Sequence, residues 1–411
     1  MQKKILPAYM LTFVNVLGFS ILMPVLPFVV EDFGAPEWVY GLLLTSYSAF
    51  QFIGAPLLGA VSDERGRKPI LLISQAGTLL SWFVFLLALT IPDIRFAGIA
   101  LSLIIIAISR VLDGITGGNV AVANAYVADI TTPKEKSYIF GNLGGVAGIG
   151  LIVGPGLGGI TASTSLGHIG TLITAIIIST LTLLALFFFL KESLPKERRR
   201  PIEKHSLRDS FFILRRIRKV NPVRFIKTLF VIKFFFSAML AFYMSTIALF
   251  IKDLFLFEEK ELGFFMIAVG IFLFVNQAIL SRWFIAKFGG FNTLLIGLIL
   301  SAFGLIAITL TDVLWLYITF YYVMNLGLSL CFPTFNSLIA KHANPERQGE
   351  VMGISESINS LALAVFPVLA AGIYGLIGYH VYYFIALLPI IGFLVAIYRG
   401  KGEIRRSFSE Q

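Results

Sequence analysis

Runs of about 20 residues without charge recur along this chain, and a run of that length is what one helix needs to cross the hydrocarbon of a bilayer. Between Gly167 and Lys191, for instance, no Asp, Glu, Lys or Arg occurs. At that depth the backbone finds no water, so each run must close its own hydrogen bonds as a helix. Twelve such segments can be drawn, near 5–30, 39–61, 70–91, 98–127, 137–161, 169–190, 223–250, 262–281, 291–311, 313–339, 350–375 and 379–398. The expected fold class is all-α, a polytopic membrane protein. Composition agrees: 14% of the residues are charged, where soluble domains carry about 25%. The first segment follows only two lysines and lacks a small-residue cleavage site, so it reads as a retained helix rather than a signal peptide.

A formal net charge of +10 could suggest a nucleic-acid partner, but the placement of the charge points elsewhere. The connections "EDFGAPEW", "PDIRF", "TASTSLGH" and "GLIGYH" contain Arg95 as their only Lys or Arg, and the stretch from Lys252 to Glu261 is acidic. The alternate connections hold Lys3 and Lys4, Arg65 to Lys68, Lys134 and Lys136, Arg282 and Lys287, Lys341 and Arg347, and Arg399 to Arg406. The positive-inside rule places these, and both termini, in the cytoplasm, with a bacterial inner membrane the expected location. No groove-reading module surrounds the basic residues, so no nucleic acid is expected. The expected partners are protons, membrane lipids and a small-molecule substrate, with the chain itself a monomer.

One long connection, 191–222, holds eleven Lys and Arg and divides the segments six and six. The expected organisation is a six-helix bundle over 1–190, a basic linker over 191–222, and a second six-helix bundle over 223–411. Within the linker, Leu207, Phe211, Leu214 and Ile217 fall near one face of a helix among basic residues. That pattern suits a helix on an anionic inner leaflet, and equally a solvated charged linker. The two halves align at an offset of 212 residues: Asn124 meets Asn336, Ala128 meets Ala340, Pro133 meets Pro345, Gly141 meets Gly353 and Pro155 meets Pro367. A duplicated bundle is an established transporter plan.

The turn "GAVSDERGRKPILL", Gly59 to Leu72, gathers charge between the second and third segments. Gly59 is expected to permit close helix contact, Asp63 to cap the next helix or pair with Arg67, and Gly66 to allow a tight reversal. Such a cluster can latch helix ends in one state and free them in another, or act as a plain topology anchor. A weaker echo, "RWFIAKFGG" from Arg282, lacks the acidic residue.

Gly59, Asp63, Gly66, Arg67, Lys68 and Leu71 match the signature of the major facilitator superfamily, with Glu64 where that pattern usually has Arg. "RVLDGITGG" from Arg110 resembles its fourth-helix signature, and "GIGLIVGPGLGG" from Gly148 resembles the fifth-helix signature of its proton-driven drug antiporters. "ILMPVLPFV", "NAYVADITTPKEKSYIFG" and "FLKESLP" resemble the tetracycline/proton antiporter branch. The resemblance implies two pseudo-symmetric six-helix bundles working by alternating access, with gating by the charged turn and by Gly150, Gly154, Pro155 and Gly158. In the resembled antiporters that stripe seals the two halves against leak. The spacing alone gives a small-residue packing surface with a proline bend. This chain departs from the branch in three places: Asn15 replaces an acidic residue, the ninth segment has no carboxylate, and the eighth lacks its histidine near Leu273. Those are substrate and proton positions in the branch, so tetracycline itself is in doubt.

Charge inside a membrane segment is costly and marks function. Arg110 and Asp113 stand three residues apart in the fourth segment, with Gly117 and Asn124 on the same face and Asp113 near mid-bilayer. Burial favours a neutral carboxyl there and the arginine favours a charged one, so protonation can be switched; a fixed structural pair is the other reading. Glu356 in the eleventh segment is a second coupling candidate, and Lys233 in the seventh either pairs with it or snorkels to the interface. Asp129 and Glu350 are placed at the inner interface. Candidate polar lining of a substrate cavity comprises Asn15, Gln51, Asn119, Asn142, Gln277, Asn325 and Asn359, with Phe19, Phe242 and Tyr243 as aromatic walls.

Cys331 stands alone in an apolar run and four His show no ligand spacing, so neither a disulfide framework nor a metal centre nor a cofactor is expected. An enzyme is not expected either, since no HExxH, GxSxG or phosphate loop occurs. The expectation is a secondary transporter in which inward protons, carried by Asp113 and Glu356 with Arg110 tuning them, drive efflux of a drug-like or metabolite-like molecule. Proton-coupled uptake, or export of a siderophore or lipid-like molecule, are the alternatives on the same fold, and a non-transporting sensor is the alternative outside it.

Overall fold

The computed structural model describes residues 2–92, 94–96, 99–199, 213–344 and 348–400. The first apolar segment forms two helices, α1 (Gln2–Ser20) and α2 (Leu26–Asp32), separated by turns over 21–25. Pro24 lies in that gap, where its missing N–H and fixed φ interrupt the hydrogen-bond ladder. Next come α3 (Glu37–Arg65) and α4 (Arg67–Thr90), followed by a small antiparallel hairpin of β1 (Arg95–Phe96) and β2 (Ile99–Ala100). The fourth segment is again two helices, α5 (Leu101–Gly117) and α6 (Asn119–Ile130), interrupted at Gly118. The first half of the chain is completed by α7 (Pro133–Ala162) and α8 (His168–Phe189).

A short basic helix, α9 (Ile213–Val220), leads into α10 (Arg224–Phe255). The eighth segment is α11 (Glu259–Val275) and α12 (Ser281–Phe288), joined through a π-helical turn at Asn276–Leu280. The remaining helices are α13 (Gly290–Ala307), α14 (Leu314–His342), α15 (Gln348–Ile377) and α16 (Val381–Val395). Among the described residues ten helical runs are long and apolar enough to cross a membrane. One of them, Val351–Arg399, is two segments bent at Gly378–His380, and the shorter Leu6–Ser20 brings the number to the expected twelve. The chain is thus an all-α polytopic membrane protein apart from the hairpin. Of the linker residues expected on one helix face, Leu207 and Phe211 lie outside the described residues, while α9 packs against α15.

Contacts divide the chain into two compact units, Met1–Phe211 with Phe257–Gly270, and Phe212–Leu256 with Ile271–Gln411. The opening stretch of α11 therefore packs with the first unit. Glycines on both sides make the approach possible: a Cβ on Gly263 would stand 2.8 Å from the Pro155 carbonyl oxygen and 3.0 Å from Gly159 Cα.

Large apolar side chains lie on the outside as well as in the core, unlike the surface of a water-soluble bundle. Polar Gln75, Ser109 and Ser179 are buried, while Leu181, Phe187, Phe188 and Trp315 are exposed, because lipid rather than water faces the outside. Gln75 Nε2 donates to Ser179 Oγ at 2.8 Å, tying α4 to α8, and Ser74 Oγ donates to the Thr116 carbonyl at 2.5 Å, tying α4 to α5. At one end of the first unit an apolar cluster including Leu11, Leu71, Val122, Tyr126 and Leu186 closes the packing.

Candidate functional site

α5 turns its charged pair inward. Arg110 Nη1 lies 3.2 Å from Asp113 Oδ2, and the two side chains are only 3% and 6% exposed. The guanidinium carbon also stands 4.9 Å from the Trp82 ring centre and 5.2 Å from that of Phe85, both on α4. Nη2 donates to Ser109 Oγ at 3.3 Å, and that hydroxyl donates in turn to the Ser81 carbonyl at 2.9 Å. Ring faces and hydroxyls thus offset part of what it costs to take the cation out of water. Thr78 and Ser81 border Asp113, and Tyr47 lies within electrostatic reach of both charges.

Two of the expected cavity residues, Gln51 and Phe19, reach this pair through Tyr47, and two more, Asn15 and Asn119, bond to each other. Gln51 Nε2 donates to Tyr47 Oη at 3.1 Å and to the Gly117 carbonyl at 3.2 Å. Phe19 stacks on Tyr47 with ring centres 5.5 Å apart. Asn15 Nδ2 donates to Asn119 Oδ1 at 2.6 Å, while Asn119 Nδ2 is buried without a partner among the described residues. Tyr47 is thus the common neighbour of Phe19 and Gln51, although one tyrosine among fourteen carried no signal in the sequence. Asn142 makes a separate contact, with Tyr9 Oη at 3.4 Å. Asn124, expected on the Asp113 face, is exposed instead, because the interruption at Gly118 ends the α5 register before it arrives.

The charged turn is a closed network. Gly66 reverses the chain with φ 105° and ψ 159°, a conformation that a Cβ disfavours. Arg67 Nη2 reaches Asp63 Oδ1 at 2.6 Å, Nε reaches Asp129 Oδ2 at 3.1 Å, and Nη1 donates to Ser62 Oγ at 2.5 Å. Asp63 therefore pairs rather than caps. The cap of α4 comes from Glu192, whose two carboxylate oxygens accept from the Arg67 and Lys68 backbone N–H groups at 2.9 and 3.2 Å. A carboxylate at a helix N-terminus satisfies orphan donors and meets the positive end of the dipole. Lys68 Nζ donates to the Phe187 carbonyl at 3.3 Å. Gly59, expected to allow close helix contact, has nothing within 4 Å of where a Cβ would stand. Glu350, whose side chain lies outside the described residues, receives no placement.

On α7 the glycine stripe has a definite neighbour. Added Cβ atoms on Gly150, Gly154 and Gly158 would press on Phe13 and Val16, on Ser20, and on Ile21, so this face packs on α1 and the residues after it. Ser20 Oγ donates to the Gly150 carbonyl at 3.0 Å across that contact. Pro155 remains inside an unbroken helix. Two other glycines, Gly156 and Gly159, face Ile267 and Glu259 of α11.

The second unit holds the other charged pair. Lys233 Nζ donates to Ser355 Oγ at 2.7 Å and stands 4.0 Å from Glu356 Oε2, with Lys233 9% and Glu356 69% exposed. Its ammonium stays at helix depth rather than snorkelling. Glu356 Oε1 accepts from Asn359 Nδ2 at 3.2 Å. Asn325 accepts from Asn276 Nδ2 at 3.4 Å, and Tyr322 donates to Asn276 Oδ1 at 3.0 Å. Gln277, the expected residue, is exposed; its buried neighbour Asn276 takes the inward place at the start of the π-helical turn. Tyr243 and Tyr321 share a short hydrogen bond between hydroxyls, and Phe242 packs on Phe366 with ring centres 5.4 Å apart.

The sequence profile of the Major Facilitator Superfamily matches residues 8–367. Tetracycline resistance protein, class H, of Pasteurella multocida is 29% identical over 400 residues, covering 95% of this chain and 93% of that protein. Multidrug resistance protein 2 of Bacillus subtilis is 27% identical over 382 residues, covering 92% and 91%. The crystal structure of the human organic anion transporter MFSD10 superposes with a TM-score of 0.71 at 23% identity, over 96% of this chain and 99% of that one, a likeness of fold.

Proposed function

The chain belongs to the Major Facilitator Superfamily, and from that premise we propose that it is an antiporter: protons moving inward through Asp113 drive a drug-like or metabolite-like organic molecule outward by alternating access. Membership makes it a transporter and not an enzyme. The single observation that carries the antiport reading is Asp113 itself, a carboxylate 6% exposed on a spanning helix, held by one arginine at 3.2 Å and bordered by hydroxyls. A shift of α4, whose Trp82 ring and Ser81 carbonyl help hold the guanidinium, can draw the arginine away from Asp113, and desolvation then favours the neutral carboxyl. Restoring the contact expels the proton. Arg110 tunes the step, and Glu356 is the second coupling candidate.

Export rather than uptake is favoured by the similarity to proteins named for tetracycline and multidrug resistance. Substrate contacts fall to Asn15, Phe19, Gln51 and Asn119 in the first unit, with Asn142 nearby in sequence to the α7 glycines. In the second unit they fall to Phe242, Tyr243, Asn325 and Asn359, with Asn276 in the inward place that Gln277 does not take. The Arg67 network and the α7 glycines do the gating, in a monomer with both termini in the cytoplasm of a bacterial cell. Asn15 is neutral and bonded to Asn119 where the resembled branch has an acidic residue, which speaks against tetracycline itself as the substrate.

Purified protein in liposomes with an imposed pH gradient tests the proposal. Asp113→Asn is expected to lower gradient-driven counterflow by about 100-fold, as loss of an essential proton-transfer group does, while gradient-independent exchange of substrate persists. Full gradient-driven flux in the variant would remove Asp113 as the carrier.

A further inference from the structure

We infer that the cavity beside Lys233 docks the acidic group of an organic anion, a carboxylate on a ring-sized apolar body. The inference rests on the transport reading above and names its substrate class. The cavity, of about 120 Å³, lies in the second unit between α10, α14 and α15.

Its polar lining is Lys233, Ser237, Asn336, Asn359 and the Glu356 carboxylate, and the donors on α10 are not fully met. An ammonium carries three N–H donors, yet among the described residues Lys233 has one hydrogen bond, to Ser355 Oγ at 2.7 Å. The nearest carboxylate oxygen, Glu356 Oε2 at 4.0 Å, is beyond hydrogen-bond reach. One turn along α10, Ser237 lines the same cavity; it is buried, and its hydroxyl has no partner among the described residues. Residues four apart on a helix share a face, so both donors belong to one wall. Buried donors without acceptors are costly, and the group that completes them best is a negatively charged oxygen.

The opposite wall is apolar. Phe332 and Phe335 of α14 stand against Phe236 of α10 with ring centres 5.3 and 5.4 Å apart, and all three line the space. A planar ring fits there, its acidic group toward Lys233. Glu356, exposed and steadied by Asn359, is the stand-in anion: it neighbours the ammonium when the site is empty and yields it to the ligand. A cationic ligand would have to approach a buried ammonium, which Coulomb repulsion opposes most strongly away from water.

Binding of benzoate, benzamide and benzylammonium to the purified full-length protein in micelles, followed by saturation-transfer NMR, tests the inference. Benzoate is expected to bind about tenfold more tightly than benzamide, the difference a charge-assisted hydrogen bond makes, with no binding of benzylammonium. Lys233→Gln should reduce benzoate to the level of benzamide, Lys233→Arg should retain the preference, and Glu356→Gln should tighten benzoate by removing its competitor. Ser237→Ala, a change too small to threaten folding, should weaken benzoate alone. Equal binding of benzamide or benzylammonium, or benzoate binding indifferent to Lys233→Gln, overturns the inference. Decanoate binding more tightly than benzoate would replace the ring-bearing solute by a fatty acid and overturn that half. Benzoate binding is read without a pH gradient, so a failure of the proton reading shows as surviving gradient-driven flux in the liposome assay while the Lys233 site still stands.

Discussion

Arg110–Asp113 in the first unit and Lys233–Glu356 in the second are both a cation and a carboxylate on spanning helices, but they are built to opposite plans. The first pair is 3.2 Å apart on one helix with both side chains hidden; the second is 4.0 Å apart on two helices, its carboxylate 69% exposed. A hidden pair keeps its partner, because removing either member strands a charge away from water. Its chemistry can change only by moving a proton. An open pair can exchange its partner for something else, since the carboxylate that leaves still has solvent to receive it. The difference suits the first pair to holding a proton and the second to exchanging its partner for a ligand, as proposed above.

Three measurements of unfolding in detergent bear on this contrast. Arg110→Met should be the most damaging, costing about 3–5 kcal/mol by leaving Asp113 buried and unpaired. The double variant Arg110→Met/Asp113→Leu should recover most of that loss. A single variant as stable as the parent would erase the distinction between the pairs. Arg67→Gln should fall between, at about 1–3 kcal/mol for lost hydrogen bonds to charged groups, since Arg67 is buried but its partner Asp63 is exposed. Lys233→Met should cost least, about 0–1 kcal/mol, as for pairs with a solvated member. A larger loss there would mean that Lys233 is a structural strut rather than a ligand-facing group.

The twelve segments were legible because a long apolar run has one solution in a bilayer. Where they break was not. Pro24 coincides with a gap, yet Pro56, Pro155, Pro333 and Pro367 sit inside continuous helices, so proline alone does not say which ladder fails. Asp113 and Arg110 could be found from the cost of burying charge, and the structure does put them in contact. Gln277 is the expected cavity residue, but it is exposed, and the buried Asn276 beside it opens a π-helical turn that nothing in the sequence announces. Gly150, Gly154 and Gly158 were found by spacing, which reveals a stripe but not its neighbour. Glu192 went unmarked because its partner Arg67 lies 125 residues earlier, and nothing local in "FLKESLP" points there.

The exposed rings of Phe187, Phe188 and Phe189 end the helix that leads to Glu192, and Lys68 is bonded to the first of them through its carbonyl. Three aromatic faces, each presenting on the order of 150–250 Å², need an oily coat beside the turn that Arg67 organises. Solubilisation is therefore a chemical variable for this molecule: a short-tailed surfactant that leaves those rings wet would loosen the Arg67 network before it disturbed Asp113.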